Sequence, residues 1–317
     1  MKSERDINVD VAKGICMLLI VGIHTEAYVS IGMPLTYIAV PMFFFMSGFY
    51  DRSERTWEES FKRWTKTLLI PILFGLLIGA IYNLLLDTMN HVPLSQSGIW
   101  EFDYLRPNKN NGATWFLFAL FYVKIIMWLL TRISTDWKWL IPIFIVLGYV
   151  GSTFQFPLLF DEGLAALPFY GGGKILYEKK RNIMYRKDLT VLGGFFIFLF
   201  CFHRLSFMIN PMNSRLYSPN YMVSFIGVSL SFFPVMLLSD NIRNVSALRK
   251  IGEHTLGLLI FQLPLCSFTQ RVAWRVFERE SLMWYILSIL SYAIVVSISY
   301  LLTIIVEKYC PFLLGKK

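Results

Sequence analysis

About ten apolar runs of roughly 20 residues follow one another along this chain, and they constrain its fold more than any other feature. A helix of that length crosses the roughly 30 Å hydrocarbon core of a bilayer. Because 56% of the residues are hydrophobic and only 16% are charged, the chain is too apolar for a soluble protein. The sequence therefore predicts an all-α integral membrane protein with one membrane domain over residues 1–317. The predicted transmembrane helices cover residues 9–30, 34–50, 62–86, 112–132, 138–156, 163–178, 188–207, 220–240, 247–270 and 281–307.

Basic residues give the predicted orientation. With the amino terminus inside, most of the 30 Lys and Arg lie on the cytoplasmic side, among them clusters in residues 52–66 and 174–187. Both termini are then cytoplasmic, and the net charge of +9 is explained by topology and anionic membrane lipid, without nucleic acid. The first run lacks a small-residue cleavage site, so we interpret it as a retained span. The only sizeable outside connection covers residues 87–111, and a shorter one lies near residues 210–219.

The first apolar run carries ionisable residues on one helix face. Lys13 and His24 are 11 residues apart, which is three turns plus about 20°, and they lie about 16 Å apart along the axis. Asp10, three residues before Lys13, shares that face and can pair with it. Ionisable residues inside a span usually mark function. Two other interpretations stay open: Lys13 as an anchor that reaches the headgroups, and His24 as a hydrogen-bonding residue between helices.

The opening pattern of a basic residue, ten residues and a histidine resembles that of the family-three membrane acyltransferases. Four further stretches agree with that family in order: "VPMFFFMSGFY" (40–50), "FKRWTKTLLIP" (61–71), "TWFLFALF" (114–121) and "IGEHTLGLLIFQLPL" (251–265). The subset it is most similar to contains fucose acetylases and polysaccharide O-acetyltransferases. Two positions depart from the pattern: Lys13 replaces the usual arginine, and Gln262 stands where many relatives carry histidine.

The resemblance implies a bacterial plasma-membrane enzyme that transfers an acyl group from acetyl-CoA to an extracytoplasmic glycan or polysaccharide. His24 is the natural general base, because an unperturbed imidazole titrates near neutral pH. Cysteines stand singly and no metal-ligand spacing is present, so no metal is expected. The acceptor sugar, the oligomeric state and direct transfer versus an acyl-enzyme stay open.

Candidate donor-binding residues are basic and lie toward the predicted cytoplasmic side. Lys13 suits a phosphate as a point charge. Arg63 and Lys66, three apart at the start of the third run, share a face and fit the same role, although flanking charges of a span look alike. Lys124 lies within the fourth run, where it either reaches the headgroups or lines a charged vestibule.

Candidate acceptor-side residues are aromatic or amide-bearing. Trp115 at the outer end of the fourth run, and Trp100 and Tyr104 in the outside connection, offer flat surfaces for sugar rings, although Trp115 also fits an interfacial belt. Gln262 can orient a ligand by hydrogen bonds. Ser47 is a candidate oxyanion donor, with Gly48 letting another backbone approach closely; helix packing explains the same pair.

Two further functions stay open from the sequence. Lys13 and His24 could line the path of a transporter or flippase for a glycan intermediate, although the internal repeat typical of many transporters is not seen. A non-catalytic assembly subunit is the third possibility, indicated only by Gln262. His203 and His254 are interpreted as a span-end residue and a loop residue.

Overall fold

The computed structural model describes residues 6–26, 29–51, 56–100, 103–178, 186–201, 221–276, 278 and 281–316. These residues form twelve α-helices and several short 3-10 turns, and no strand occurs among them. The helices are α1 (Ile7–His24), α2 (Val29–Phe49), α3 (Trp57–Trp64), α4 (Ile70–Met89), α5 (Trp115–Ile133), α6 (Trp137–Thr153), α7 (Phe160–Glu178), α8 (Lys187–Cys201), α9 (Tyr221–Asn241), α10 (Ser246–Glu253), α11 (Thr255–Val276) and α12 (Leu282–Tyr309).

Every predicted apolar run overlaps an observed helix, but not every helix is long enough to cross a membrane by itself. Four described segments are long and apolar enough, and α10 with α11 forms a fifth if the bent pair counts as one span. The four are Ile7–His24, Trp57–Met89, Gly112–Ile133 and Leu282–Tyr309. The structure thus has the helical character of a membrane protein with four to five candidate spans in its described part. The ten crossings and the cytoplasmic termini stay predictions.

The ninth predicted run, residues 247–270, is broken rather than continuous. Its two helices, α10 and α11, bend by 85° at His254. Helix α10 is polar, and its Arg249 and Glu253 form an ion pair at 3.4 Å. Charged side chains are expensive in hydrocarbon, so the apolar part of this run begins only at Thr255. His254, predicted to be a loop residue, lies in the turn and contacts Glu307 of α12 through Nδ1 at 2.9 Å.

The core of the bundle is formed by close backbone contacts between helices. A Cβ at Gly48 would overlap the carbonyl oxygen of Tyr170, so α2 and α7 pack backbone to backbone as the sequence predicts for Gly48. A Cβ at Gly252 would likewise overlap the carbonyl oxygen of Asp10, which places α10 directly against the first half of α1. Fully buried aromatic rings such as Phe44 fill the space around α2. These contacts fix α1 and α2 around a central space.

The third predicted run contains an irregular turn. α3 is a polar helix with a capping box between Thr56 and Glu59, and a π-helical turn, Thr65–Leu69, joins it to α4. The carboxy-terminal segment, Pro311–Leu314 with Gly315, packs on this turn: the Gly315 backbone (φ +66°) lies against Thr67 and Leu314 is buried. Since π turns leave the regular hydrogen-bond ladder, they re-aim the side chains that follow.

The connection over residues 87–111, predicted to lie outside, is held in place at its second half. The backbone N–H of Leu158 donates to the carbonyl of Tyr104 at 2.8 Å, just before α7. Arg106 then makes two hydrogen bonds to the carboxylate of Asp161, at 3.1 and 2.9 Å. The side-chain amide of Asn111 donates to the carbonyls of Gly75 and Ile260. The start of α5 is therefore held between α4 and α11. Residues 210–219, the shorter predicted connection, lie outside the described residues, as does His203.

Candidate functional site

A cavity of about 560 Å³ lies between α1, α2, the π turn, the start of α5 and α11. Most of its lining is apolar, with side chains such as Met17, Ile20 and Leu259. Its polar lining residues are Lys13, His24, Ser47, Thr67, Thr255 and Gln262. The structure therefore brings five of the predicted site residues, including Trp115, to one enclosed space.

The α1 wall carries Lys13 and His24 on one face, as their spacing predicts. Both side chains line the cavity, and Met17 and Ile20 lie between them on the same face. The two polar residues are about 16 Å apart along the helix axis. Asp10, predicted on this face, does not line the cavity; it is 4% exposed and lies where α10 crosses α1. We call the two ends of the cavity the lysine end (Lys13) and the histidine end (His24).

The histidine end is held by a contact between α1 and α11. Gln270 of α11 donates its side-chain N–H to the backbone carbonyl of His24 at 2.6 Å. This bond satisfies one of the carbonyls that a helix end leaves open, and it fixes the height of His24 relative to α11. Trp115 enters the cavity from the start of α5, whose position is set by Asn111 and its bond to Ile260.

The lysine end is built from four elements. The ammonium of Lys13 lies 6.0 Å from the centroid of the Tyr50 ring. Ser47 is one turn before Tyr50 on α2 and therefore lies nearer to Lys13 than to His24. The role of Ser47 as an oxyanion donor stays a prediction. Thr67 from the π turn and Thr255 from the start of α11 add two hydroxyls to the same cavity.

Gln262 is the most unusual side chain of the site. It is 0% exposed to solvent, it lines the cavity, and neither Nε2 nor Oε1 has a hydrogen-bond partner among the described residues. A buried amide without partners destabilises a protein by roughly 1–3 kcal/mol for each unsatisfied group. Buried polar groups in folded proteins are nearly always paired. The unpaired amide on the cavity wall therefore makes Gln262 a candidate ligand-binding residue.

The other predicted basic residues do not line the cavity. Lys124 donates to the hydroxyl of Tyr170 at 3.0 Å, so it takes part in a contact between α5 and α7. Beside it, Lys174 forms an ion pair with Asp51 at 3.7 Å. Lys124 therefore does not line this cavity, and its predicted role, as an anchor that reaches the headgroups or in a charged vestibule that binds the donor, stays a prediction.

Arg63 and Lys66 are exposed; Arg63 lies near the end of α3, and Lys66 lies in the π turn next to Thr67. They approach the lysine end along the same helical segment but stop short of the cavity. Trp100 and Tyr104 also lie outside it, with 66% and 60% of their surface exposed. The indole N–H of Trp100 donates to the carbonyl of Leu94 at 2.9 Å, within its own connection. Neither ring contacts the cavity, so their binding of an acceptor stays a prediction.

Two polar cavity residues were not predicted from the sequence. Thr255 lies in the stretch 251–265 quoted above, so the sequence offered it as a candidate. Thr67 had no signal of its own, because a regular helix through residues 62–86 does not reveal which side chain a π turn re-aims.

The geometry suits an elongated ligand with a negative end. The ammonium of Lys13 can attract an anion, and the wall between Lys13 and His24 is mostly apolar. An imidazole can take a proton from a hydroxyl placed within hydrogen-bond reach. The arrangement is therefore compatible with anion binding at one end and general-base chemistry at the other.

Comparison with protein families gives one result. A family model described as an acyltransferase domain matches residues 6–307, nearly the whole chain. Comparisons with curated proteins and with solved structures found no match. The matched region contains every cavity residue named above.

Proposed function

The chain belongs to the acyltransferase 3 family, and from this membership we propose that it transfers an acetyl group from cytoplasmic acetyl-CoA to a hydroxyl of an extracytoplasmic glycan or polysaccharide. One observation carries the proposal: Lys13 and His24 lie at opposite ends of a single cavity. In the topology we propose, about ten spans cross the plasma membrane of a bacterium with both termini in the cytoplasm. The lysine end then faces the cytoplasm and the histidine end faces outward.

The lysine end fits the anionic part of the donor. Lys13 supplies a positive charge, and a lysine binds phosphate as a point charge without the fork of an arginine. The hydroxyls of Ser47 and Thr255 can donate to phosphate oxygens at the same end, whereas the hydroxyl of Thr67 already donates to the backbone carbonyl of Arg63 at 2.9 Å. We therefore assign Ser47 to donor binding rather than to an oxyanion contact. The exposed Arg63 and Lys66 raise the local concentration of an anion approaching this end.

The histidine end performs the chemistry. His24 accepts the proton of the acceptor hydroxyl while the hydroxyl oxygen forms a bond to the thioester carbonyl carbon. The carbon–sulfur bond then breaks, and the sulfur leaves as a thiolate, which is a good leaving group because its thiol has a pKa of about 8.5. The hydrogen bond from Gln270 to the His24 carbonyl makes Gln270 a positioning residue for this step. Apolar walls keep water from competing as the acyl acceptor.

The class of acceptor and the subset of the family are also part of the proposal. An acceptor of the polysaccharide class, and a relation to the fucose-acetylase subset, follow from the resemblance of the quoted motifs. Family membership favours acyl transfer over the transporter alternative, in which the same residues would line a permeation path.

Glycan mass spectrometry of cells with and without the gene tests the proposed function. We expect the loss of a mass equal to one acetyl group from a surface glycan, together with acetyl transfer from labelled acetyl-CoA by the purified protein. Unchanged acetylation with accumulated lipid-linked intermediates would instead identify a transporter.

A further inference from the structure

The amide of Gln262 lies inside the cavity with both its polar atoms unpartnered among the described residues. A primary amide offers two N–H donors and a carbonyl acceptor. A secondary amide of a ligand can donate its N–H to Oε1; its carbonyl points in the opposite direction in the trans form, so the Nε2 hydrogens are left for a second acceptor. The unpartnered amide therefore favours a ligand that carries amide groups at this position.

The height of Gln262 in the cavity follows from two contacts between α1 and its neighbours. Near the lysine end, Gly252 meets the backbone of Asp10, and α11 begins three residues later. Near the histidine end, Gln270 bonds to the carbonyl of His24. Helix α11 therefore runs beside α1 in the same direction. Gln262, about 10 Å along the axis from Thr255, lies between the levels of Lys13 and His24.

The neighbouring wall is apolar. Leu256 and Leu259 line the cavity on the same helix, and Met17 and Ile20 face them from α1. Methyl and methylene groups fit such a wall, whereas the several hydroxyls of a sugar ring would be left unpaired against it. The chemistry around Gln262 thus favours a thin, mostly apolar chain with an isolated amide.

We propose that Gln262 forms a hydrogen bond with an amide of the pantetheine arm of the donor. This contact fixes the position of the arm between its phosphates at Lys13 and its thioester at His24. The inference rests on the proposed function, because it takes acyl-CoA as the donor. The pantetheine arm carries two secondary amides between those two ends. Gln262 is on this account a specificity residue for the donor, and it takes no part in the bond changes of the transfer.

The test measures binding of CoA and of two CoA analogues to purified protein in detergent by calorimetry. In each analogue one pantetheine amide N–H is replaced by an ester oxygen, which removes a single donor and keeps the carbonyl. We expect wild-type protein to bind one of the analogues about 10-fold more weakly than CoA, the size of one neutral hydrogen bond. Gln262→Met should bind CoA about 10-fold more weakly and should no longer distinguish that analogue from CoA.

Gln155→Met is the matched control, because it makes the same replacement in a glutamine outside the cavity whose Nε2 is also buried without a partner among the described residues. It should bind and discriminate like wild type. Thermal unfolding checks the fold: Gln262→Met without ligand should unfold no earlier than wild type, since an unpaired buried amide has been removed.

The outcomes separate the two proposals. If Gln262→Met binds CoA as tightly as wild type, or still discriminates the analogue, the assignment of Gln262 is wrong while the donor site stands. The assignment also fails if only the KM for the acceptor changes, since Gln262 would then contact the glycan. If wild-type protein does not bind CoA at all, the proposed function itself fails.

Discussion

Two groups of polar side chains lie inside the helical bundle, and they differ in how their polar atoms are satisfied. Lys124 donates to Tyr170, and Asp51 pairs with Lys174, so this group is satisfied by the protein itself. In the cavity, by contrast, the amide of Gln262 has no partner among the described residues. Polarity inside an apolar bundle therefore does not by itself locate a ligand. The unpartnered amide of Gln262, on a wall shared with Lys13 and His24, is the stronger indication.

The largest expected effect on acyl transfer comes from His24, which lines the cavity with Gln262. His24→Ala should lower acyl transfer by about 10²- to 10⁴-fold, because the proton acceptor is lost while the helix remains. The measurement is acetyl transfer from labelled acetyl-CoA per amount of inserted protein. His91→Ala is the control, since that histidine is exposed in the connection 87–111 and does not line the cavity; it should retain transfer. Near-normal transfer by a well-expressed His24→Ala protein would remove His24 from the mechanism.

Lys13 gives the next largest effect. Lys13→Ala should raise the KM for acetyl-CoA about 10-fold and change kcat little, because a charge that binds the phosphates in the ground state and in the transition state is lost. Lys13→Arg should be tolerated, since it keeps the charge. Steady-state kinetics and CoA titration measure both. A Lys13→Ala protein with unchanged CoA affinity would make Lys13 an orientation anchor only.

Lys124 belongs to the group whose polar atoms are paired within the protein, and its replacement tests that group. Lys124→Met should remove one hydrogen bond to Tyr170 and lower stability by about 1 kcal/mol. CoA affinity should change less than about 2-fold, because the side chain does not line the cavity. Thermal unfolding and calorimetry on the same sample separate the two effects. A 10-fold loss of CoA affinity at unchanged stability would return Lys124 to the donor site.

The smallest effect is expected from the outside connection. Replacing both Trp100 and Tyr104 with alanine should raise the KM for the acceptor by only a few-fold, because both rings are exposed and lie away from the cavity. CoA binding should be unaffected. A loss of acceptor use as large as that of His24→Ala would show that the connection holds the glycan directly.

The sequence predicted those features of the fold and the site that depend on residues close together in the chain. Apolar runs of span length predicted the helices, and the 3.6-residue period placed Lys13 and His24 on one face, which now lines the cavity. Gly48 also admits a second backbone as predicted. Each of these follows from residues close together in the chain.

Features that depend on distant contacts were not predictable in the same way. The bend at His254 goes with its contact to Glu307, 53 residues away, and the π turn at Thr67 lies under the backbone of Gly315. The positions of Trp100 and Lys124 depend on how a connection folds and on which side chain Tyr170 meets. Composition alone carries no information on such contacts.

The walls of the cavity come from parts of the chain that are synthesised far apart in time. Lys13 and His24 are synthesised more than 200 residues before Gln262. Until α11 has been made, the polar face of α1 lacks one wall of the cavity, and polar side chains that meet lipid raise the cost of inserting a helix. The placement of α1 therefore depends on a helix that is synthesised much later, and the site is complete only once α11 has packed beside α1.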